Sequence, residues 1–253
     1  MTVWLYVQPG DTEMGLVDGT PAIERLVSES LKRALGGEPP PEVRWLSPRA
    51  GARKPGPKRG RSALVPGATG DLLERRMVEH ARLYGAEIRP GDVVLFVDDA
   101  DCRFCDGGCD RPTCEARHRT WHTALEHRLA EARPEAALVT LLASPETEAW
   151  FVVRASECLA ALGLRGREAH TALAALREAF PAPVACWGTR KPAGGCEPKF
   201  RLKFEAALGG RYRPATQGPG LVVSLDLAKL AEGEDVFVRP AWQALLRLVR
   251  SAG

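Results

Sequence analysis

No apolar run in this chain approaches the roughly 20 residues that a helix needs to cross a bilayer. The N-terminus, MTVWLYV, has a short apolar run and no basic residue ahead of it, so it lacks the layout of a secretory signal. A cytoplasmic location without membrane contact is therefore expected. Excess charge of one sign is scarce too. Thirty-five Lys and Arg against 32 Asp and Glu leave a formal net charge of +3. The whole molecule is not a polycation, and any affinity for nucleic acid has to come from local patches. No self-similar segment recurs at the periods of solenoids or propellers, which excludes a repeat array.

What is present suits one α/β domain with an addition. The 253 residues can bury a substantial core, and 45% hydrophobic with 26% charged residues is ordinary for a globular chain. Apolar stretches at Val3–Gln8, Val43–Leu46, Asp92–Val97 and Ala136–Ala143 read as strands. The last two show no polar alternation, as when both faces of a parallel sheet are covered. Between them, Pro21–Leu35, Asp71–Tyr84 and Arg117–Glu131 read as helices. This alternation predicts a mostly parallel sheet flanked by crossover helices. The remainder is helix-rich, with helices expected near Glu146–Leu162, Glu168–Phe180, Pro198–Leu208 and Pro240–Val249. A core over 1–155 and a helical extension over 156–253 packed on it are the expected units.

One segment departs from that pattern. SPRAGARKPGPKRGRSALVPG, residues 47–67, carries Arg49, Arg53, Lys54, Lys58, Arg59 and Arg61 and no acidic residue. Its composition cannot form a packed core, so a loop is expected. It reads either as a solvated surface insertion or as an arm that tracks phosphates with clustered charge.

The stretch VVLFVDDADCRFCDGGCDRPTCEARHRTWH holds the densest chemistry. Asp99 and Asp101 follow an apolar strand, where parallel sheets place their ligands. Two carboxylates at i and i+2 suit a hard cation such as Mg²⁺ or Mn²⁺, which can polarise a phosphoryl oxygen or activate a water. Aspartates at such turns also serve as plain helix caps. Four cysteines follow within thirteen residues, Cys102, Cys105, Cys109 and Cys114, then His118 and His122. In a reducing compartment that density points to a closed, structural Zn²⁺ site. The four cysteines are the most compact set, with His118 as an alternative ligand, and a dithiol redox pair is the competing reading. Such a zinc would fold the Cys/His insertion over 102–122 rather than catalyse. Cys158 reads as a core residue.

The blocks VVLFVDDAD and LLASPETEAWF, in that order, resemble the Toprim-type proteins of bacteria, and within them the RloB-like group and a related family. The likeness rests on Asp99-Ala100-Asp101, on Pro145, Glu148 and Trp150, on Pro198-Lys199, and on Tyr212 with the amphipathic segment from Pro240. It implies a Toprim-like sheet, a Mg²⁺ site and phosphodiester cleavage of nucleic acid (DNA or RNA, tRNA included), beside a partner ATPase in phage defence. Asp99, Asp101, Glu13 and Glu148 would form the catalytic set. Arg53, Lys54, Lys58, Arg59, Arg61 and Lys199 would meet phosphates. In the family the first strand ends in Glu-Gly, whereas this chain reads YVQPGDTE. Gln8 cannot exchange a proton near neutral pH. Either Glu13 has taken over the acidic role, or the chain is a catalytically weakened nucleic-acid-binding or adaptor subunit. Glu148 and Trp150 also admit a purely structural reading, as a carboxylate near a helix start beside a core aromatic.

Overall fold

The computed structural model describes residues 1–7, 13, 15–46, 71–83, 86–100, 103–104, 111–133, 135–181, 189–190, 196–197, 200–234 and 236–252. The chain opens with β1 (Thr2–Val7), a two-residue hairpin pair β2 (Leu16–Val17) and β3 (Thr20–Pro21), helix α1 (Ala22–Ala34) and β4 (Glu42–Trp45). Helix α2 (Asp71–Leu83), β5 (Val93–Asp99), α3 (Arg111–Ala132) and β6 (Ala137–Ala143) follow. Then come α4 (Glu148–Val153), α5 (Ala155–Ala161) and α6 (Gly166–Ala179). A short pair, β7 (Thr189–Arg190) and β8 (Cys196–Glu197), precedes α7 (Phe200–Ala207), α8 (Pro214–Ser224), α9 (Leu227–Gly233) and α10 (Val238–Ser251). No helix among the described residues is long and apolar enough to cross a membrane.

The main sheet has the order β4-β1-β5-β6, and its three pairings are all parallel. Strands alternate their side chains between faces, and the core divides accordingly. Val3, Leu5, Val7, Val93, Leu95 and Val97 face one layer, with α1 and the helices from α4 onward. Trp4, Tyr6, Val94, Phe96, Leu138 and Leu142 face the other, against α2 and α3. Both faces are covered, so the strands need no polar positions. The chain steps from β1 to β4 on one side and from β5 to β6 on the other. The strand order therefore reverses between β1 and β5, which opens a crevice at the carboxyl ends of those two strands.

The opposite edge is fastened. The Asp92 carboxylate accepts hydrogen bonds from Thr2 N (2.7 Å), Trp4 Nε1 (2.9 Å) and Arg89 N (2.9 Å). Burial alone would raise its pKa, but these three donors outweigh it and hold the carboxyl below its ordinary value.

Several boundaries differ from those read in the sequence. β5 runs on through Asp98 and Asp99, which pair with Leu142 and Ala143. Helix α3 begins at Arg111, not Arg117. Pro112 suits a helix start, and the polar first turns carry no apolar periodicity to reveal them. Residues 111–122 of the expected 102–122 insertion thus belong to the crossover helix. The helix expected over Glu146–Leu162 is two, separated at Arg154, whose φ −113° and ψ 41° leave the helical region. Helix α8 (PATQGPGLVVS) was not expected, because Pro219 and two glycines hide it from propensity. The C-terminal helices share the core cluster of the sheet face they cover: Trp150, Phe204, Tyr212, Leu230 and Trp242 all belong to it.

Candidate active site at the sheet edge

Asp98 and Asp99 are neighbours in β5 and therefore point to opposite faces. Asp98 is fully buried on the α2/α3 side, where Arg103 Nη2 donates to its Oδ2 at 2.7 Å. Its Oδ1 accepts from the Asp99 backbone N–H at 2.9 Å. Arg103 also lies 5.1 Å from the Trp121 ring centroid and 3.8 Å from buried Glu74. Glu74 in turn accepts from Trp121 Nε1 and Arg128 Nη2. This network ties the turn after β5 to α2 and α3. Asp98 is thus a structural anchor, although the sequence shows three similar aspartates in that stretch.

Asp99 is partly exposed on the other face. Thr147 Oγ1 lies 3.1 Å from Asp99 Oδ1 and is hydrogen-bonded to Glu13 Oε1 as well. Thr147 carries one hydroxyl proton and can donate it to only one carboxylate at a time. Two carboxylates therefore converge on one oxygen, Glu13 arriving from beyond β1 and Asp99 from the end of β5. That is the crevice where the strand order reverses.

Glu148 stands beside them at the start of α4 and is 4% exposed. Tyr212, also buried, donates its hydroxyl to Glu148 Oε1 at 2.8 Å. Burial pushes the Glu148 carboxyl up to about 7 against the pull of the Tyr212 hydrogen bond, and the nearby charges of Glu13 and Glu146 add to the rise. A carboxyl that changes charge near neutrality can give or take a proton in catalysis. Trp150 is 1% exposed and lies in the core, which agrees with its structural reading. Glu146 Oε2 accepts from Arg201 N at 2.8 Å, which draws the first turn of α7 toward this edge.

The described residues thus bring together three of the four carboxylates expected from the sequence: Glu13, Asp99 and Glu148. Asp101, Gln8, the basic segment with Arg53, Lys54, Lys58, Arg59 and Arg61, and Lys199 lie outside the described residues, as do Cys102, Cys105 and Cys109. Cys114 is buried in the first turns of α3, and Cys158 is a core residue as expected. His118 turns toward Thr140 on β6 and packs edge-on against Phe104 and Phe237. Among the described residues no three His, Cys, Asp or Glu side chains are grouped closely enough to hold a metal ion. The hard oxygen donors of Glu13 and Asp99, converging on one hydroxyl, nonetheless fit part of a Mg²⁺ shell, which takes one or two carboxylates and several waters. Thr147 and the bonding role of Tyr212 were not legible beforehand. A threonine in SPETE carries no signal of its own, and its partner Glu13 lies far away in sequence.

No family model, curated protein or solved structure matches the chain.

Proposed function

We propose that this protein is a metal-dependent phosphodiester-cleaving enzyme of Toprim type that acts on nucleic acid. The observation that carries this reading is the meeting of Glu13 and Asp99 on the Thr147 hydroxyl, beside buried Glu148, in the crevice at the carboxyl ends of β1 and β5. Two like charges sharing one donor are relieved by a cation. Glu13 and Asp99, with Asp101, would hold Mg²⁺ or Mn²⁺, whose chemistry when bound is to polarise a phosphoryl oxygen. Glu148 exchanges the proton that hydrolysis requires, oriented by Tyr212. Arg53, Lys54, Lys58, Arg59, Arg61 and Lys199 supply phosphate contacts. A structural Zn²⁺ on Cys102, Cys105, Cys109 and Cys114 belongs to the same proposal, as does a role in phage defence beside a partner ATPase.

The test is incubation of purified protein with Mg²⁺ or Mn²⁺ and a panel of DNA, RNA and tRNA, beside Asp99→Ala and Asp101→Ala. Cleavage that persists in both variants overturns the site. Binding without cleavage under every condition favours the second reading, an adaptor subunit, for which the observation is Gln8 directly after β1 where the resembled family has an acid. Elemental analysis of the wild type and of Cys105→Ser and Cys109→Ser tests the zinc, and a well-folded metal-free protein refutes it.

A further inference from the structure

The free edge of the sheet, along β6, carries a second concavity, separate from the carboxylates and independent of the function proposed above. A cavity of about 490 Å³ lies between α3, the edge strand β6 and α10. That volume is in the range of small-molecule sites. We propose that it is a binding site for a small amphipathic organic anion, a carboxylate or phosphate head on an apolar body.

Three observations set this chemistry. The first is the polar floor. Thr140 Oγ1 lies 3.0 Å from His122 Nδ1 and 3.4 Å from His118 Nε2, so two imidazoles are held by one hydroxyl.

The second is the charge at the rim. Among the described residues Arg119 and Arg247 line it with one carboxylate, Glu115. Glu115 is already engaged by Arg111 at 2.7 Å and faces Arg119 at 3.9 Å. Arg247 is exposed and makes no ion pair with any described residue. Among the described residues a cationic ligand would meet no uncommitted carboxylate here, whereas an anion would meet the Arg247 guanidinium.

The third is the apolar wall. Leu138 and Val236 contribute to it, and the small side chains Ala241 and Ala244 on α10 leave the space open. A fully polar ion would leave that wall unused, and a fully apolar ligand would cover the histidines and Thr140 without serving them.

The test is titration of the full-length wild-type protein with octanoate, octyl phosphate and 1-octanol, followed by calorimetry and ligand-observed NMR. Saturable binding of octanoate or octyl phosphate is expected, at least tenfold tighter than that of 1-octanol, and the two anions distinguish carboxylate from phosphate heads. Arg247→Glu is exposed and should fold normally; it is expected to weaken anion binding tenfold or more. Ala244→Phe, which fills the cavity without touching its polar groups, is expected to do the same. Absence of saturable anion binding up to ~10 mM, equal binding of 1-octanol, or undiminished binding by Arg247→Glu would each overturn the proposal. Should Ala244→Phe fail to fold, Arg247→Glu and the octanol comparison decide it.

Discussion

Two threonines near one edge of the sheet do the same geometric job for opposite chemistries. Thr147 holds two carboxylates, Glu13 and Asp99, at the crevice. Thr140 holds two imidazoles, His118 and His122, on the α3 face of β6. In both places a titratable group is driven toward its neutral form: burial raises Glu148 to about 7 and lowers His118 to about 4. The acid moves toward physiological pH and becomes useful for proton transfer. The base moves away from it and becomes a fixed polar surface. Burial thus favours reactivity at the crevice and recognition along β6. Asp98 and Asp99 repeat the contrast within two residues, one locked to Arg103 and the other turned to the crevice.

That contrast can be broken most sharply at the two aspartates. Asp99→Asn should reduce Mg²⁺-dependent cleavage by roughly 10²–10⁴, as for loss of a group acting in the transition state. Its urea midpoint should barely move. Asp98→Ala should do the reverse: it leaves Arg103 without its closest partner in a buried network and should cost about 3 kcal/mol in urea unfolding. Similar losses of stability in both variants would dissolve the distinction.

Glu148→Gln comes next. It keeps the shape and the Tyr212 contact but cannot exchange a proton, so cleavage should fall by roughly 10²-fold or more. The rise of the rate–pH profile near 7 should disappear with it. Smaller again is the pair of threonine variants. Thr147→Val removes a donor to carboxylates and should cost about 1.5–3 kcal/mol, whereas Thr140→Val removes neutral hydrogen bonds and should cost about 0.5–1.5 kcal/mol. Chemical denaturation of both, read against wild type, orders them.

The two regions also differ in the pH dependence of stability, where they have opposite signs. Glu148 titrates at about 7 when folded and near 4.5 when unfolded, so the folded state holds more protons across that window. Its contribution is full below 4.5 and is lost as pH rises through 7. His118 titrates at about 4 when folded and near 6.5 when unfolded, so the unfolded state holds more protons between them. Its contribution is full above 6.5 and is lost as pH falls through 4. Thermal melts from pH 4 to 8 should show Glu148→Gln flattening the upper decline and His118→Asn flattening the lower one.

The strands were legible because continuous apolar runs admit few other readings, and β1, β5 and β6 lie where those runs stand. Helix α10 was legible for a related reason: Val238, Ala241, Trp242, Leu245 and Val249 follow a helical period. Helix α8 was not, since its burial against α1 overrides a composition of Gly and Pro that propensity disfavours. Within the site, Asp99 and Glu148 were marked by their position after apolar strands. Tyr212 was noticed only as part of a resemblance, and nothing local connects it to a glutamate 64 residues earlier. The same holds for Glu74, whose bonds to Trp121 and Arg128 form only once α2 and α3 lie side by side.

By itself, then, the sequence determined that a parallel sheet would end in carboxylates, because local hydrophobicity and strand period are properties of consecutive residues. It pointed to Asp99 at the strand end but did not determine that Asp98 would lock the turn through Arg103, or that Asp99 would meet Thr147. Strand side chains alternate, so a one-residue difference sends Asp98 and Asp99 to opposite faces. Strand order then decides what waits on each face. The reversal between β1 and β5 brings Glu13 to Thr147 across 134 residues, a distance no local pattern encodes.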